Sequence, residues 1–185
     1  MEFDQTILPG CFEIRPNIFR DNRGSFIKTY LEETFNEKGL CTNWREEYYS
    51  VSKRGVIRGM HFQTPPMQHT KMVYCLQGIV QDVLLDLRIG SPSFGSCCSI
   101  ELSAEKGNII YIPEGIAHGF CALTDMAIMQ YKVSSIYSPE HDSGILWSSI
   151  PLDWNCSTPI ISPRDANLIA LESFKSPFKF ETARI

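Results

Sequence analysis

The sequence predicts an all-β fold with a few short peripheral helices. From about residue 44 onward, short apolar segments alternate with turn signals such as Gly78, Gly90-Ser-Pro and Gly107. Such regular spacing of short strands is typical of a sandwich or barrel, and a jelly roll of the cupin kind fits it best. The chain has 185 residues and shows no internal repeat, so we expect a single domain over 1–185.

The N-terminal residues 1–20 are predicted to form a β-arm. Apolar and polar residues roughly alternate there, and Pro9 and Pro16 favour an edge strand or a strand that pairs with another subunit. We therefore expect this arm to be exchanged in a homodimer. The next elements are predicted to be a turn over 21–24, a strand over 26–30 and a helix over 31–38 that Gly39 ends.

The strands of the main body follow in order, and the C-terminal part is predicted to be irregular. Ser162 is expected to cap a short helix that begins at Pro163, and residues 175–185 are expected to be a peripheral tail. Strands are predicted over 43–52, 72–87 with a break at Gly78, 94–102, 108–112, 119–123 and 126–136, with a loop over 113–118.

The composition excludes several classes of protein. The formal net charge is -4 and there is no basic run, so we expect no nucleic-acid partner. No apolar stretch is long enough to cross a bilayer and the N-terminus lacks a signal-peptide pattern, so we expect no membrane partner and a cytoplasmic protein. The seven cysteines are odd in number and include no CxxC, which favours free thiols.

The most informative stretch runs from Gly55 to Cys75, because it brings Arg58, His61 and Lys71 close together. Read as two strands joined by a Pro-Pro loop, it predicts that Arg58 faces away from His61 and that Gly59 shares the face of His61. A glycine in a strand lets another group approach the backbone. This pattern favours proton transfer on a small anionic substrate, although a buried structural histidine would look the same.

A metal site is poorly supported by the histidine pattern. Metal-binding cupins need three imidazoles and a carboxylate, usually with a His-x-His pair. Here Gln63 stands two residues after His61, the Pro-x-Gly-x-x-His118 segment matches half of the signature, and His69 would have to come from a loop. We therefore predict no metal and no other cofactor.

Without a metal, the available chemistry is acid–base. A His61 base and a Tyr131 acid on opposite sides of a pocket could epimerise a carbon next to a carbonyl, with Lys71 stabilising the enolate and Asp165 orienting the histidine. Tyr131 could equally be an ordinary strand aromatic. Arg23 and Arg164 could equally be solvated surface charges.

A series of motifs in order along the chain resembles one family. The segments are Asp21-Asn-Arg-Gly24, Gly55-Val-Ile-Arg-Gly-Met-His-Phe-Gln63 with Pro65-Pro66, Lys71, Gly90-Ser-Pro-Ser-Phe-Gly95, Ile112-Pro-Glu-Gly-Ile-Ala-His-Gly-Phe120, Tyr131-Lys132, Tyr137-Ser-Pro-Glu140 and Gly144-Ile-Leu-Trp147. Together they are similar to the dTDP-4-dehydrorhamnose 3,5-epimerase family over about residues 5 to 170.

This resemblance implies a metal-independent cupin homodimer that acts on nucleotide-diphosphate 4-keto-6-deoxysugars, usually for cell-surface polysaccharide. It places His61 as the base, Tyr131 as the acid, Asp165 as the partner of the base and Lys71 beside the 4-keto oxygen. The residues it implies for substrate binding are Arg23 and Arg58 at the diphosphate, Tyr137 stacked on the nucleobase, and His118, Asp142 and Arg164 in the same pocket.

The chain departs from the family pattern where the nucleotide and sugar are bound. Lys28 stands in place of a Glu, and Glu46-Glu-Tyr48-Tyr-Ser50 in place of Gln-Asp-Asn-x-Ser. These departures leave open an epimerase that inverts C3 or C5 alone, or one that takes a CDP- or GDP-linked sugar. A more distant alternative is a non-catalytic or metal-dependent cupin.

Overall fold

The described residues 1–181 of this computed structural model form two large antiparallel sheets and a separate hairpin. The strands are β1 (Glu2–Gln5), β2 (Phe12–Arg15), β3 (Ile18–Asp21), β4 (Gly24–Ile27), β5 (Glu46–Lys53), β6 (Ile57–Gln63), β7 (Lys71–Gln77), β8 (Ile79–Asp86), β9 (Cys97–Ser103), β10 (Ile109–Ile112), β11 (Ile116–Ala122), β12 (Met126–Val133) and β13 (Asp142–Gly144). Two short helices, α1 (Glu32–Glu37) and α2 (Pro163–Ala166), lie outside the sheets. The all-β prediction is confirmed.

One sheet has the order β1-β2-β10-β7-β12-β5 and the other has the order β13-β6-β11-β8-β9. A buried apolar cluster joins their facing sides. Val73 and Met129 from the six-stranded sheet pack there with Leu84 and Phe120 from the five-stranded sheet. This two-layer packing forms a sandwich whose interior is apolar at one end and, as described below, polar at the other.

The two outer faces are covered in different ways. Helix α1 buries Phe35 against Tyr111 and Met72 on the outside of the six-stranded sheet. On the outside of the five-stranded sheet, C-terminal residues cover Met60 and Phe62, and Phe178 is among them with 5 % of its surface exposed. The tail expected to be peripheral is therefore part of the core at Phe178, because its ring packs 5.5 Å from that of Phe62; residues 182–185 lie outside the described residues.

The predicted β-arm divides into two parts. Strand β2 pairs with β10 of the same chain and β1 pairs with β2, whereas β3 and β4 form the hairpin, which belongs to neither large sheet. Arm exchange between subunits stays a prediction, and it applies to the outer edge of β1 and to the hairpin.

The strand after the Pro113 loop begins earlier than predicted. The expected loop over 113–118 ends at Gly115, and Ile116–Ala122 form β11, which pairs with β8 from Ile116↔Asp86 onward. His118 is therefore in the middle of a central strand and not in a loop. The apolar Ile116 and Ala117 are buried in that strand, which explains why it starts there.

Candidate active site

A cavity of about 490 Å³ opens between the two sheets at the polar end of the sandwich. Both walls carry side chains that the sequence had singled out. Ten of the thirteen predicted site residues line it: Glu46, Tyr48, Arg58, His61, Lys71, His118, Tyr131, Tyr137, Asp142 and Arg164. The sequence therefore predicted most of this cavity, and the remaining three residues are described below.

Asp165 lies behind His61 and forms a hydrogen bond with it. His61 Nε2 is 2.8 Å from Asp165 Oδ1, and the backbone N–H of Gly59 donates to Oδ2 at 3.2 Å. Asp165 is in the first turn of α2, where Ser162 caps the helix by accepting from Asp165 N, as the sequence predicted. Both carboxylate oxygens are thus used, and Nδ1 is the nitrogen of His61 left for a substrate.

An irregularity in β6 puts Arg58 and His61 on the same side of the sheet. Arg58 pairs with Phe120 and His61 with His118, so three residue steps in β6 face two in β11. The extra residue of such a bulge reverses the alternation, and Met60 is completely buried on the opposite side. The prediction that Arg58 and His61 face opposite ways is therefore wrong.

The electrostatic surroundings keep His61 neutral. Burial lowers the pKa of His61 below its ordinary value; Asp165 raises it, and Lys71 and Arg164 lower it further. Burial raises the pKa of Asp165, but the hydrogen bonds from His61 and Gly59 more than offset this and the carboxyl pKa is lowered overall. At neutral pH the pair is an imidazole and a carboxylate, which suits a general base.

Lys71 is a buried cation beside this base. Its Nζ donates to the carbonyl oxygen of His61 at 3.1 Å, and 6 % of its surface is exposed. Burial lowers the pKa of Lys71 to about 8, although Asp142 and Asp82 oppose the shift. The ammonium form still predominates at neutral pH, so the cavity holds a positive charge next to the imidazole.

Tyr131 is on the opposite wall, in β12 of the six-stranded sheet, whereas His61 is in the five-stranded sheet. The Tyr131 hydroxyl lies 3.3 Å from Ser50 Oγ. Burial raises the pKa of Tyr131, so its phenol stays protonated at neutral pH. A base and a proton donor thus face one cavity from two sides.

A second histidine–carboxylate pair, which sequence reasoning missed in part, lies deeper. His118 Nε2 is 2.7 Å from Asp82 Oδ2, and both side chains are buried. Burial raises the pKa of Asp82, and the histidine counteracts this. The available signal was an aspartate in the apolar strand Val80-Gln-Asp-Val-Leu-Leu85. Ser50, the partner of Tyr131, was also missed.

The charged groups at the mouth of the cavity are partly paired. Arg164 and Asp142 form an ion pair at 2.7 Å, and the Tyr137 hydroxyl donates to Asp142 at 3.3 Å. Glu46 accepts from the backbone N–H of Tyr137 at 2.9 Å. Arg58 is held by Ser52 Oγ, which its Nε reaches at 3.0 Å. The opening of the cavity is therefore surrounded by two guanidinium groups, of Arg58 and Arg164, and by the polar side chains Glu46, Tyr137 and Asp142.

The structure of this chain does not bring Arg23 or Lys28 to the cavity. Arg23 is at the tip of the β3–β4 hairpin, where its Nε donates to Asp21 at 3.0 Å and 86 % of its side chain is exposed. Lys28 follows the same hairpin and is exposed. The hairpin pairs with neither large sheet, which is why these two residues do not reach the cavity of their own chain.

Three histidines line the cavity, including His69, the residue that a metal site would have had to recruit. Its Nδ1 lies 3.3 Å from both Gln63 Nε2 and Ser135 Oγ, and burial lowers the pKa of His69 to about 3. Within residues 1–181, no three His, Cys, Asp or Glu side chains are grouped so that they could hold a metal ion. In the same part of the chain, no helix has the length and apolarity that crossing a bilayer requires.

Comparisons with known proteins show which proteins this chain resembles. The sequence model described as dTDP-4-dehydrorhamnose 3,5-epimerase matches residues 5–173. The dTDP-4-dehydrorhamnose 3,5-epimerase of Shigella flexneri is 39 % identical over 170 residues, which are 90 % of this chain and 94 % of that protein. The dTDP-4-dehydrorhamnose 3-epimerase of Streptomyces niveus is 38 % identical over 167 residues, which are 89 % and 81 % of the two chains.

A solved structure shows the same fold. The dTDP-6-deoxy-D-glucose-3,5-epimerase of Legionella pneumophila, in complex with dTDP-4-keto-L-rhamnose, superimposes with a TM-score of 0.93 at 31 % identity and covers 98 % of this chain and 99 % of its own. The cupin jelly-roll prediction is confirmed by this likeness. With a family match over most of its length and relatives well above 30 % identity, the chain belongs to the dTDP-4-dehydrorhamnose 3,5-epimerase family.

Proposed function

We propose that the protein is an epimerase that inverts C3, C5 or both in a nucleotide-diphosphate 4-keto-6-deoxyhexose, within deoxysugar biosynthesis in the cytoplasm. The observation that carries this proposal is the placement of His61 and Tyr131 on opposite sheets around one cavity. A single acid–base group can remove and return a proton on one face only. Inversion requires a donor on the other face, and this cavity offers one.

The proposed reaction begins when neutral His61 removes the proton from a carbon next to the ketone. The C–H electron pair moves into an enolate, whose oxygen the Lys71 ammonium stabilises, while Asp165 stabilises the imidazolium that forms. Tyr131 then gives its phenolic proton to the opposite face of the carbon, and the carbonyl re-forms. Solvent exchange restores His61 and Tyr131. No net oxidation occurs, so the step balances without a redox cofactor.

The mouth of the cavity supports recognition of a nucleotide diphosphate. Arg58 and Arg164 present guanidinium groups there, and a planar fork matches phosphate oxygens. Tyr137 has 59 % of its surface exposed and offers a ring on which a base can stack. The named relatives act on dTDP-linked sugars, and dTDP-4-keto-6-deoxyglucose is therefore the first substrate to test.

A second candidate substrate class is favoured by Glu46. Its carboxylate is at the cavity beside Tyr137 and accepts a hydrogen bond from Tyr137 N. A carboxylate pairs well with the amino groups of cytosine or guanine, whereas thymine presents two carbonyl oxygens beside its single N–H. A CDP- or GDP-linked 4-keto sugar is the alternative substrate.

We also propose a homodimer in which the hairpin of one chain meets the other chain. Phe19 and Phe26 are 63 % and 62 % exposed, with ring centroids 6.4 Å apart, and Arg23 extends beyond them. An exposed aromatic pair at the base of a protruding arginine favours burial against a second copy with two-fold symmetry. Light scattering at micromolar concentration should give twice the chain mass, and a monomer mass would refute this part.

Solvent exchange tests the reaction. The protein is incubated in D₂O with EDTA and the 4-keto-6-deoxyglucose of dTDP, CDP or GDP in turn, and ¹H NMR records deuterium and configuration at C3 and C5. We expect deuterium and inversion at one or both carbons with one nucleotide preferred. Absence of exchange with all three would refute the epimerase, and exchange that EDTA abolishes would favour a metal-dependent cupin.

A further inference from the structure

The ring of Tyr48 lies face to face with the ring of Tyr131. The centroids are 4.9 Å apart and the planes are inclined by 18°. The two residues are direct cross-strand partners on β5 and β12, so the pairing of the strands itself sets the stack. Stacked aromatic rings attract each other beyond the effect of burial alone.

This stack completes the enclosure of Tyr131. Its hydroxyl is held near Ser50 Oγ, and the His118 ring meets it edge-on with centroids 6.1 Å apart. Tyr48 covers one flat face of the Tyr131 ring and is 44 % exposed, whereas Tyr131 is 8 % exposed. Tyr48, His118 and Ser50 therefore all contact Tyr131, and Tyr48 is the most exposed aromatic ring among them.

A phenol held in this way has a restricted position relative to the two carbons on which it could act. The two acidic carbons of a 4-keto sugar flank the carbonyl on either side, and a proton donor must come within about 2.6–3.2 Å of its target. Relatives of this chain at 39 % and 38 % identity are named as a 3,5-epimerase and as a 3-epimerase. Overall similarity thus leaves the number of inverted carbons open, and the residues around the donor must decide it.

We propose that Tyr48 is a positioning residue that directs the phenol of Tyr131 toward one of the two carbons and so determines where inversion is completed. The proposal rests on the epimerase function proposed above. Tyr48 acts here through the flat face of its ring, since the stack involves the ring and not the hydroxyl. Removing the ring should free Tyr131 to rotate, while His61 and Lys71 still remove the substrate proton.

The experiment measures, for each carbon, the ratio of inverted product to deuterium incorporated in D₂O, by ¹H NMR. This ratio does not depend on how much of a preparation is active. Parent protein is compared with Tyr48→Phe, which keeps the stack, and with Tyr48→Ala and Tyr48→Leu, which remove the flat ring. Tyr49→Ala is the matched control, because Tyr49 pairs with Gln130 and is 67 % exposed.

For the parent, Tyr48→Phe and Tyr49→Ala, we expect the ratio of inversion to deuterium incorporation to be about tenfold or more higher at one carbon than at the other. In Tyr48→Ala and Tyr48→Leu, this difference between the two carbons should fall to about threefold or less. Circular dichroism identifies a variant that has not folded. If Tyr48→Ala does not fold, Tyr48→Leu provides the test. An unchanged preference in a folded ring-deleted variant would overturn the proposal. So would equal inversion of both carbons by the parent, or a Tyr48→Phe variant that behaves like Tyr48→Ala. Parent protein without exchange at any carbon would instead overturn the epimerase function itself.

Discussion

Gly59 and Gly119 meet backbone to backbone across β6 and β11. A Cβ atom on Gly59 would lie 2.5 Å from Gly119 Cα and 2.9 Å from the carbonyl oxygen of His118. The same glycine donates its N–H to Asp165. Its φ is +129°, a backbone conformation that residues with a side chain rarely adopt. The bulge that brings Arg58 and His61 to one side therefore depends on two residues without side chains.

Gly59→Ala should accordingly destabilise the protein and displace the base. Forcing a methyl group into this contact costs about 1–3 kcal/mol of the free energy of unfolding. Urea unfolding measures that loss. Gly90→Ala is the matched control, because Gly90 also has a positive φ, +88°, but nothing lies within 4 Å of its added Cβ. Equal losses of unfolding free energy in the two variants would show that the cost comes from backbone strain at a positive φ and not from the close approach of Gly59 to Gly119.

His61→Asn should lower the rate of exchange at the substrate carbon by roughly two to four orders of magnitude, the usual contribution of a general base. Single-turnover exchange in D₂O is the measurement. His141→Asn is the control, since its Nδ1 lies 2.8 Å from Ser138 Oγ and it is not among the residues that line the cavity. Near-normal exchange in His61→Asn would remove this residue from the mechanism.

Asp165→Asn should shift the acid limb of the pH profile downward. The base must be neutral, so kcat/KM falls as pH drops through the pKa of His61, which burial holds below 6.5. The carboxylate raises that pKa, and its replacement should lower it further. The plateau rate should also fall, by roughly 10²–10⁴-fold, because the imidazolium loses its partner. An acid limb that moves to higher pH would contradict this assignment.

Loss of the Lys71 ammonium should produce the basic limb of the pH profile of kcat/KM. Its pKa is lowered to about 8, so the ammonium that stabilises the enolate is lost as pH rises through that value, and kcat/KM should fall with it. Lys71→Arg keeps a charge that does not titrate in this range and should move the limb to higher pH, even at reduced activity. A basic limb that stays at the same pH in Lys71→Arg would assign it to another group.

Tyr131→Phe should separate proton removal from inversion. His61 and Lys71 remain, so deuterium should still enter the substrate, while the opposite face lacks a donor. Recovered sugar should then retain its configuration more often than in the parent reaction. The measurement is configuration per deuterium incorporated, by NMR. Loss of exchange itself would mean that the tyrosine takes part in removing the proton.

Part of the site could be predicted from local pattern, and the remaining pocket residues were implied by the family resemblance. His61 and Lys71 are in one short stretch, and the Ser162 cap that positions Asp165 is a local signal. The orientation of Arg58 could not be predicted, since a bulge depends on how β6 pairs with β11, which is a property of two distant segments. Asp82 was missed because its partner, His118, is 36 residues away.

The differences between the predicted and the observed fold also arise from contacts between segments that are distant in the chain. The turn signals at Pro113 and Gly115 predict a loop that includes His118, yet β8 and β11 pair as far as Ile116. Residues 175–185 were expected to be a peripheral tail, and only the packed structure brings Phe178 to Phe62. The resemblance alone assigned Arg23 to the diphosphate, and the structure places it on the hairpin, away from the cavity of its own chain.

The base and its carboxylate partner are 104 residues apart in the chain, and the cap that holds the partner comes just before it, at Ser162. During synthesis, His61 and Tyr131 both leave the ribosome before Asp165 does. All strands of both large sheets thus precede, in the chain, the residue that supplies the counter-ion of the imidazole. Cleavage of the chain between Gly144 and α2 would separate the base from its counter-ion without cutting a strand of either sheet, which makes activity a sensitive reporter of intactness near α2.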